Sequence, residues 1–300
     1  MLEVNRQTPP LMPSEINEQS EKPKTLHFAL DGENKMSLQM IPFLLLHVAC
    51  FGVFFTGVSL WAILLCIFLY GARMWGLTAG YHRYFSHRSF KTSRFFQFVL
   101  AWLGCSALQK GPLWWAAHHR RHHKYTDQEG DIHSPVQEGF WWSHVGWILT
   151  EKYHATDIDA IKDFAKYPEL RWLNRNHWVP GVVLAVLCFL LLGWQGLFWG
   201  FFVSTVVLYH GTFSINSLAH LWGSRRYATT DDSRNNFFLA LITGGEGWHN
   251  NHHHYMASVK QGFYWWEIDF SYYILKVLSW VKVVRDLRMP PPHLLARKNS

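Results

Sequence analysis

Two long stretches without charge constrain this chain more than any other feature. From Gln39 to about Gly80 the only Asp, Glu, Lys or Arg is Arg73, and from Asn176 to Ser224 there is none at all. Each stretch is interrupted near its middle, at Thr56-Gly57 and at Gly193-Trp194-Gln195-Gly196. Each half then has about the 20 residues that a bilayer-spanning helix needs. The pattern predicts an all-α integral membrane fold with four transmembrane helices in two tight hairpins.

The cations set an orientation. Residues 1–38 hold four Lys or Arg, 81–177 hold thirteen and 221–300 hold ten, while the two hairpin tips hold none. By the positive-inside rule both termini and the central region face the cytoplasm. A net charge of +7 suits an anionic membrane or a nucleic acid. There is no long Lys/Arg run and no nucleic-acid motif, so nucleic acid is not an expected partner. A soluble bundle with buried helices would not need this asymmetry. Residues 1–37 are polar, contain Pro9, Pro10, Pro13 and Pro23, and read as a mobile N-terminal tail; residues 38–300 form the membrane domain. Two more apolar stretches, Phe95–Leu108 and Phe263–Leu287, are too interrupted to span and are expected as helices lying at the membrane surface. Cys50, Cys66, Cys105 and Cys188 form no CxxC pair and are expected as buried reduced thiols.

The nineteen histidines are grouped rather than scattered. His82 and His87 form H-x4-H after the second span. His118-His119-Arg120-Arg121-His122-His123 lies in the central region, and Asn216-Ser217-Leu218-Ala219-His220 closes the fourth span. Glu246-Gly247-Trp248-His249-Asn250-Asn251-His252-His253-His254 follows. The topology brings all four groups to the cytoplasmic surface. His119, His122 and His123 are spaced i, i+3, i+4 and share a helix face, although His118 and His122 are also i, i+4. His249, His252 and His253 repeat the first spacing. On an α-helix His82 and His87 lie about 140° apart, so they meet best where the helix ends.

A lone histidine is usually a surface or core residue. This many, converging, point to metal. Imidazole suits iron, copper, nickel and zinc. A structural zinc site takes four ligands and favours cysteine. No paired Glu-x-x-His motif marks a ferritin-like carboxylate site. An all-nitrogen pair of redox metals near a membrane suggests oxygen chemistry on a lipid. A metal transporter would carry its ligands inside the spans, along a path between the two sides.

From about Trp75 to Leu275 the sequence resembles the membrane fatty acyl desaturases of the stearoyl-CoA (delta-9) type. The resemblance rests on Thr78-Ala79-Gly80, the HRYFSH box, HRRHHKY, the segment Gly139–Trp147, NSLAH and GEGWHNNHH. It implies a cytoplasmic helical cap holding two iron ions on His82, His87, His119, His122, His123, His220, His249, His252 and His253. Asn216 would act through a metal-bound water. It places His118 and His254 outside the set and gives His27, His47, His154, His177, His210 and His293 no ligand role. His133 and His144 are candidates for supporting positions. Glu246, Asp127 and Asp131 are the nearest acids in sequence and are expected to orient ligand N–H groups. The family bends its acyl channel with residues matching Gln109, Trp115 and Thr212; Trp115 as a plain interfacial anchor is the alternative.

The implied reaction is oxygen-dependent desaturation of a saturated acyl chain to a cis-monounsaturated one, first at delta-9 of an acyl-CoA. An acyl-lipid desaturase is the alternative, and a hydroxylase, leaving an alcohol at the same metals, a weaker one. The animal enzymes carry an Arg-Asp pair that contacts CoA where this chain has Ala117-His118. Gln109-Lys110-Gly111-Pro112 and Trp265-Trp266-Glu267-Ile268-Asp269 look more like the bacterial and plant-plastid branch, and Lys110 and Arg121 are candidates for the missing phosphate contacts. The expected setting is a bacterial cytoplasmic membrane with the active site inside. The partners are O2, membrane lipids and a ferredoxin or other reductase as electron donor.

Overall fold

The computed structural model describes residues 37, 38 and 40–295; apart from Ser37, the expected N-terminal tail lies outside them. Ser37 itself is buried and its N–H donates to the Leu149 carbonyl at 2.8 Å. The protein is mostly helical. The first apolar helix, α1 (Met40–Thr56), stops at Gly57. There φ is +66°, which disfavours any side chain. Ser59 then caps α2 (Leu60–Ser86) by accepting the Ala62 N–H at 3.2 Å. After α3 (Arg94–Cys105) and α4 (Pro112–Tyr125), the short α5 (Pro168–Arg175) leads to α6 (Val179–Gln195) and α7, residues 196–221.

Two helical stretches are long and apolar enough to cross a membrane, Leu60–Ser86 and Val179–Leu221. The second reverses at Leu192–Gly193, where Gly193 takes φ +57°, and Gly200 returns alongside Cys188. The two apolar turns sit side by side: Gln195 Nε2 donates to the Thr56 carbonyl and Trp199 Nε1 to that of Gly57, both at 2.9 Å. Large apolar side chains face outward on these helices; Phe55 is 90% exposed and Leu190 73%. Continuous exposed apolar surface of this kind suits lipid rather than water. The one cation in the apolar stretches, Arg73, is fully buried. It donates to the hydroxyls of Ser204 and Thr205 and to the Leu69 carbonyl, which removes the cost of leaving a buried charge unsolvated.

The remaining elements stand at the other end of these helices. Among them are the short α8 (Phe237–Ile242), α9 (His249–His254) and α10 (Phe270–Trp280). α10 corrects the expectation for Phe263–Leu287. Asp269 caps it by accepting the Tyr272 N–H at 3.0 Å, so the helix starts seven residues late. Residues 263–268 are instead tied down by Glu267, which accepts from the Tyr264 N–H and from Arg226 and Asn251. Beyond Val281 the chain turns at Lys282 (φ +60°) into a strand, β2 (Val284–Arg285), which pairs antiparallel with β1 (Lys91–Thr92). Phe95–Leu108 is helical only to Cys105, with Leu108 at φ +57°.

Candidate metal centre

Four elements deliver histidines to one buried region. The end of α2 contributes His82 and, one residue past it, His87; α4 contributes His119, His122 and His123, the end of α7 contributes His220, and α9 contributes His249, His252 and His253. The end of α2 explains the five-residue spacing of the first box. Over Gly76–Ser86 the helix is wound in wider π turns, and the His87 N–H donates to the His82 carbonyl, five residues back. Residues five apart then stand about one turn apart. The two rings lie with centroids 4.8 Å apart. The helix ends at Ser86, between the two, as the α-helical reading expects, and the π turns bring the rings together.

The nine rings divide into two clusters. His82, His87, His119, His123 and His252 form one; His122, His220, His249 and His253 form the other. Each adjacent pair, His122-His123 and His252-His253, sends one ring to each cluster. The i, i+4 members of each box stay together, His119 with His123 and His249 with His253.

In the first cluster the Nε2 atoms run 3.1 Å from His82 to His252 and 2.9 Å from His252 to His123. They continue 2.9 Å from His123 to His119 and 2.9 Å from His119 to His87. A neutral imidazole has one N–H, so five converging nitrogens cannot satisfy one another by hydrogen bonding. Nitrogens bound at about 2.1 Å to one ion, at right angles, would be about 3.0 Å apart, which is the spacing found. In the second cluster His220 Nε2 lies 3.0 Å from His249 Nε2, and His253 Nε2 is buried without a hydrogen-bond partner. The residues present therefore fit two metal ions.

Carboxylates hold the far nitrogens. His122 Nδ1 is 2.9 Å from Asp131, His220 Nδ1 2.8 Å from Asp127, and His253 Nδ1 2.9 Å from Asp231. His82 Nδ1 contacts Glu246, which also accepts from Arg83 at 2.9 Å. Arg83 in turn pairs with Asp269 at 2.9 Å. Gly245, between these groups at φ +123°, leaves no room for a side chain. Asp127, Asp131 and Glu246 were expected beside the ligands. Asp231, Arg83 and Asp269 were not, and nothing in the Asp231-Asp232 pair says which acid turns inward.

Burial favours the neutral, metal-binding form of six of the nine rings. It pushes His87, His119, His123, His249 and His252 well below the ordinary imidazole value, with neighbouring histidines adding to the effect. Burial lowers His253 to about 4 against the pull of Asp231. His122 is the exception: burial opposes it, but Asp131 prevails and raises it. Although burial would raise Asp127 and Glu246, their partners hold each at about 2: His220 for Asp127, and His82 with Arg83 for Glu246. Asp131 and Asp231 are likewise held well below the carboxylate range, burial being outweighed by His122 and His253.

The neighbouring histidines take other roles. His118 Nδ1 is 2.9 Å from the Trp114 carbonyl, and its ring stacks on Trp114 outside both clusters. His254 stacks on Tyr227 with centroids 4.0 Å apart. His133 lies 4.3 Å from the His122 ring, while His144 points away to His210 and Ser217.

A cavity of about 340 Å³ runs from Phe43, Leu46 and Trp178 past Lys110 to Trp115, Thr212 and Asn216. Those last three also line a smaller cavity of about 50 Å³ against His82, His119, His122 and His249. Gln109 Nε2 donates to Thr212 Oγ1 at 2.7 Å where the two meet. Trp115 stacks on His119 at 4.9 Å, so it stands between the cavity and the five-histidine cluster rather than at the lipid surface alone.

Comparison with known proteins agrees with this architecture. Residues 59–277 match the family model described as fatty acid desaturase. An sn-2 palmitoyl-lipid 9-desaturase of Nostoc is 36% identical over 80% of this chain and 85% of its own length. An acyl-CoA C20 Delta5-desaturase of Anemone leveillei is 38% identical over 82% of this chain and 79% of its own. Delta-9 acyl-lipid desaturase 2 of Arabidopsis thaliana is 33% identical over 79% of this chain and 77% of its own. With its histidine clusters at the end of long apolar helices, the chain belongs to the fatty acid desaturase family.

Proposed function

We propose that the chain inserts a cis double bond at carbon 9 of a saturated acyl chain, using O2 and two electrons from a ferredoxin or other reductase. The observation that carries this is the continuity of the apolar cavity with the two histidine clusters through Trp115, Thr212 and Asn216. Two iron ions, one on each cluster, would supply oxygen activation and hydrogen abstraction. The protein's own part is to hold the chain and exclude water. Gln109 and Thr212 clamp the passage, and Trp115 fixes which carbons reach the clusters. Asn216, one turn before His220, would hold a water at the four-histidine cluster.

The mouth of the cavity favours a glycerolipid as acyl carrier. Lys110 is the only Lys or Arg among its lining residues. His118, at the place of the CoA-contacting pair, is buried beneath Trp114 and Trp147. Arg121 donates to the Gly130 carbonyl and lies over Tyr125. The acyl-CoA reading is supported by the names of some relatives, such as the Anemone enzyme.

The orientation proposed is four spans in two hairpins, with both termini and the clusters on the cytoplasmic side of a bacterial membrane. It is supported by the meeting of the two apolar turns at the end opposite the histidines. Reporter fusions after Gly57 and after Ser300 should report opposite sides. Expression in a host lacking such an enzyme, with double bonds located by mass spectrometry, should give a cis-9 product in membrane lipids. A hydroxylated product, or none, would refute the activity; label appearing first in acyl-CoA would return the carrier to CoA.

A further inference from the structure

A third cavity, about 370 Å³, shares no lining residue with the other two. Four cations line it, Arg88, Lys91, Arg285 and Arg288, over the aromatic rings of Tyr84 and Phe164. Arg88 is paired with Asp163 at 2.6 Å and Lys91 with Asp286 at 2.8 Å. Among the described residues no carboxylate lies within ion-pair distance of the exposed guanidinium of Arg285 or Arg288, although Asp286, which also lines the cavity and is paired with Lys91, feels the charge of Arg285. The cavity thus carries two cations in excess.

Its position is set by the strand pair. Lys91 lies opposite Arg285, and Thr92 Oγ1 donates to the Val283 carbonyl at 2.7 Å, which ties the start of α3 to the end of α10. Both helices carry exposed apolar side chains, Phe95 on α3 and Tyr273, Ile274, Val277 and Trp280 on α10. A cationic pocket at the edge of an apolar outer face matches the two ends of a phospholipid: Arg offers paired donors to phosphate, and the apolar face accepts acyl chains.

We propose that this pocket is a headgroup site for an anionic phospholipid. The phosphate lies between Arg285 and Arg288, and the chains run along the outer faces of α3 and α10. The site is separate from the acyl cavity and steadies the strand pair, whose first strand begins at Lys91, four residues beyond the expected ligand His87. The inference rests on the membrane orientation proposed above. The reporter fusions test that orientation independently, and lipid retention does not depend on catalysis.

The test is native mass spectrometry of the full chain in detergent, titrated with dioleoyl phosphatidylglycerol, dioleoyl phosphatidylcholine or inorganic phosphate. Phosphatidylglycerol should be retained in preference to phosphatidylcholine. R285Q/R288Q should weaken that retention about thirtyfold, or about fivefold per cation. R285K/R288K should keep most of it, which separates lost charge from lost fold, and the exposed control R171Q should change nothing. Equal retention of the two lipids, or unchanged retention in R285Q/R288Q, overturns the site. Inorganic phosphate binding as tightly as phosphatidylglycerol overturns the lipid as its source.

Discussion

The two histidine clusters share α4 and α9, yet they are supported differently. The five-histidine cluster has one carboxylate at its far nitrogens, Glu246, and that carboxylate is already shared with Arg83. The four-histidine cluster has three, Asp127, Asp131 and Asp231, each on a different ring. Its His122 and His249, with Asn216 beside them, line the small cavity that meets the acyl passage. A carboxylate behind an imidazole raises its basicity and fixes its orientation. The first cluster would thus hold an ion by the number of its rings. The second would hold an ion with fewer rings, three of them backed by carboxylates, and both clusters face the small cavity, the first through His82 and His119.

Removal of a ring is the most severe way to break this comparison. His220→Ala leaves three rings in the four-histidine cluster, and metal content should fall from two ions per chain toward one. His119→Ala leaves four rings in the other cluster and should retain more metal. Both should abolish desaturation. Metal content by mass spectrometry and product analysis check this; equal metal loss in the two variants would remove the asymmetry. His118→Ala, which touches neither cluster, should keep both ions.

Trp115→Ala comes next. The indole stacks on His119 and lines both cavities, which is the place from which the proposed channel role would position an acyl chain against the clusters. Displacing reacting atoms by about 1 Å costs about 100-fold in rate. The variant should lose activity on that scale or scatter the double-bond position while keeping two ions. The same isomer made at the same rate would reduce Trp115 to a membrane anchor.

Much of this was legible in the sequence, for identifiable reasons. Absence of charge marked the apolar helices, and Gly57 and Gly193 marked their turns because no other residue type suits those backbones. Helical spacing put His119 with His123 and His249 with His253. It could not say that His122 and His252 cross to the other cluster, because that depends on how α4 and α9 face each other. The α-helical period put the helix end near His82 and His87, where it lies, but no residue type announces the π turns that bring their rings together. Asp231 was missed for a related reason: its approach to His253 is fixed by a loop, held by Ser233 and Thr229, with no periodicity to read. The reading of Phe263–Leu287 as one helix followed its apolar content and missed that Glu267 and Asp269 are buried anchors.

The supporting carboxylates sharpen the comparison further. Asp231→Asn should lower metal affinity of the four-histidine cluster by about 10- to 100-fold and leave the other ion in place. Glu246→Gln should act on the five-histidine cluster, and also loosen Arg83 and Asp269. Chelator competition reads both. An Asp231→Asn protein that releases its two ions together would show that the clusters are not separately supported.

The smallest expected effect is an order of release with pH. A ligand ring must be neutral, so protons compete with metal. In the metal-free protein Asp131 raises the value of His122 above its ordinary 6.5. The stability from that pair is therefore present below about 6.5 and lost as pH rises through the raised value. Burial has the opposite effect on His87, His119, His123 and His252. Their neutral rings contribute stability present above about 6.5, which is lost as pH falls through their depressed values. As pH falls from 7.5 to 6, His122 should take a proton before any of these four, and the four-histidine ion should leave first. Dialysis at steps of pH, followed by metal analysis and X-ray absorption, should find about one ion with five nitrogen neighbours at the lower end. Asp131→Asn removes the acid that raises His122. In that variant the affinity is lower at every pH, but the pH step between the two ions should shrink. Loss of both ions at one pH in the unmodified protein, or an unchanged step in Asp131→Asn, would mean that the carboxylates orient the rings without setting their proton affinity.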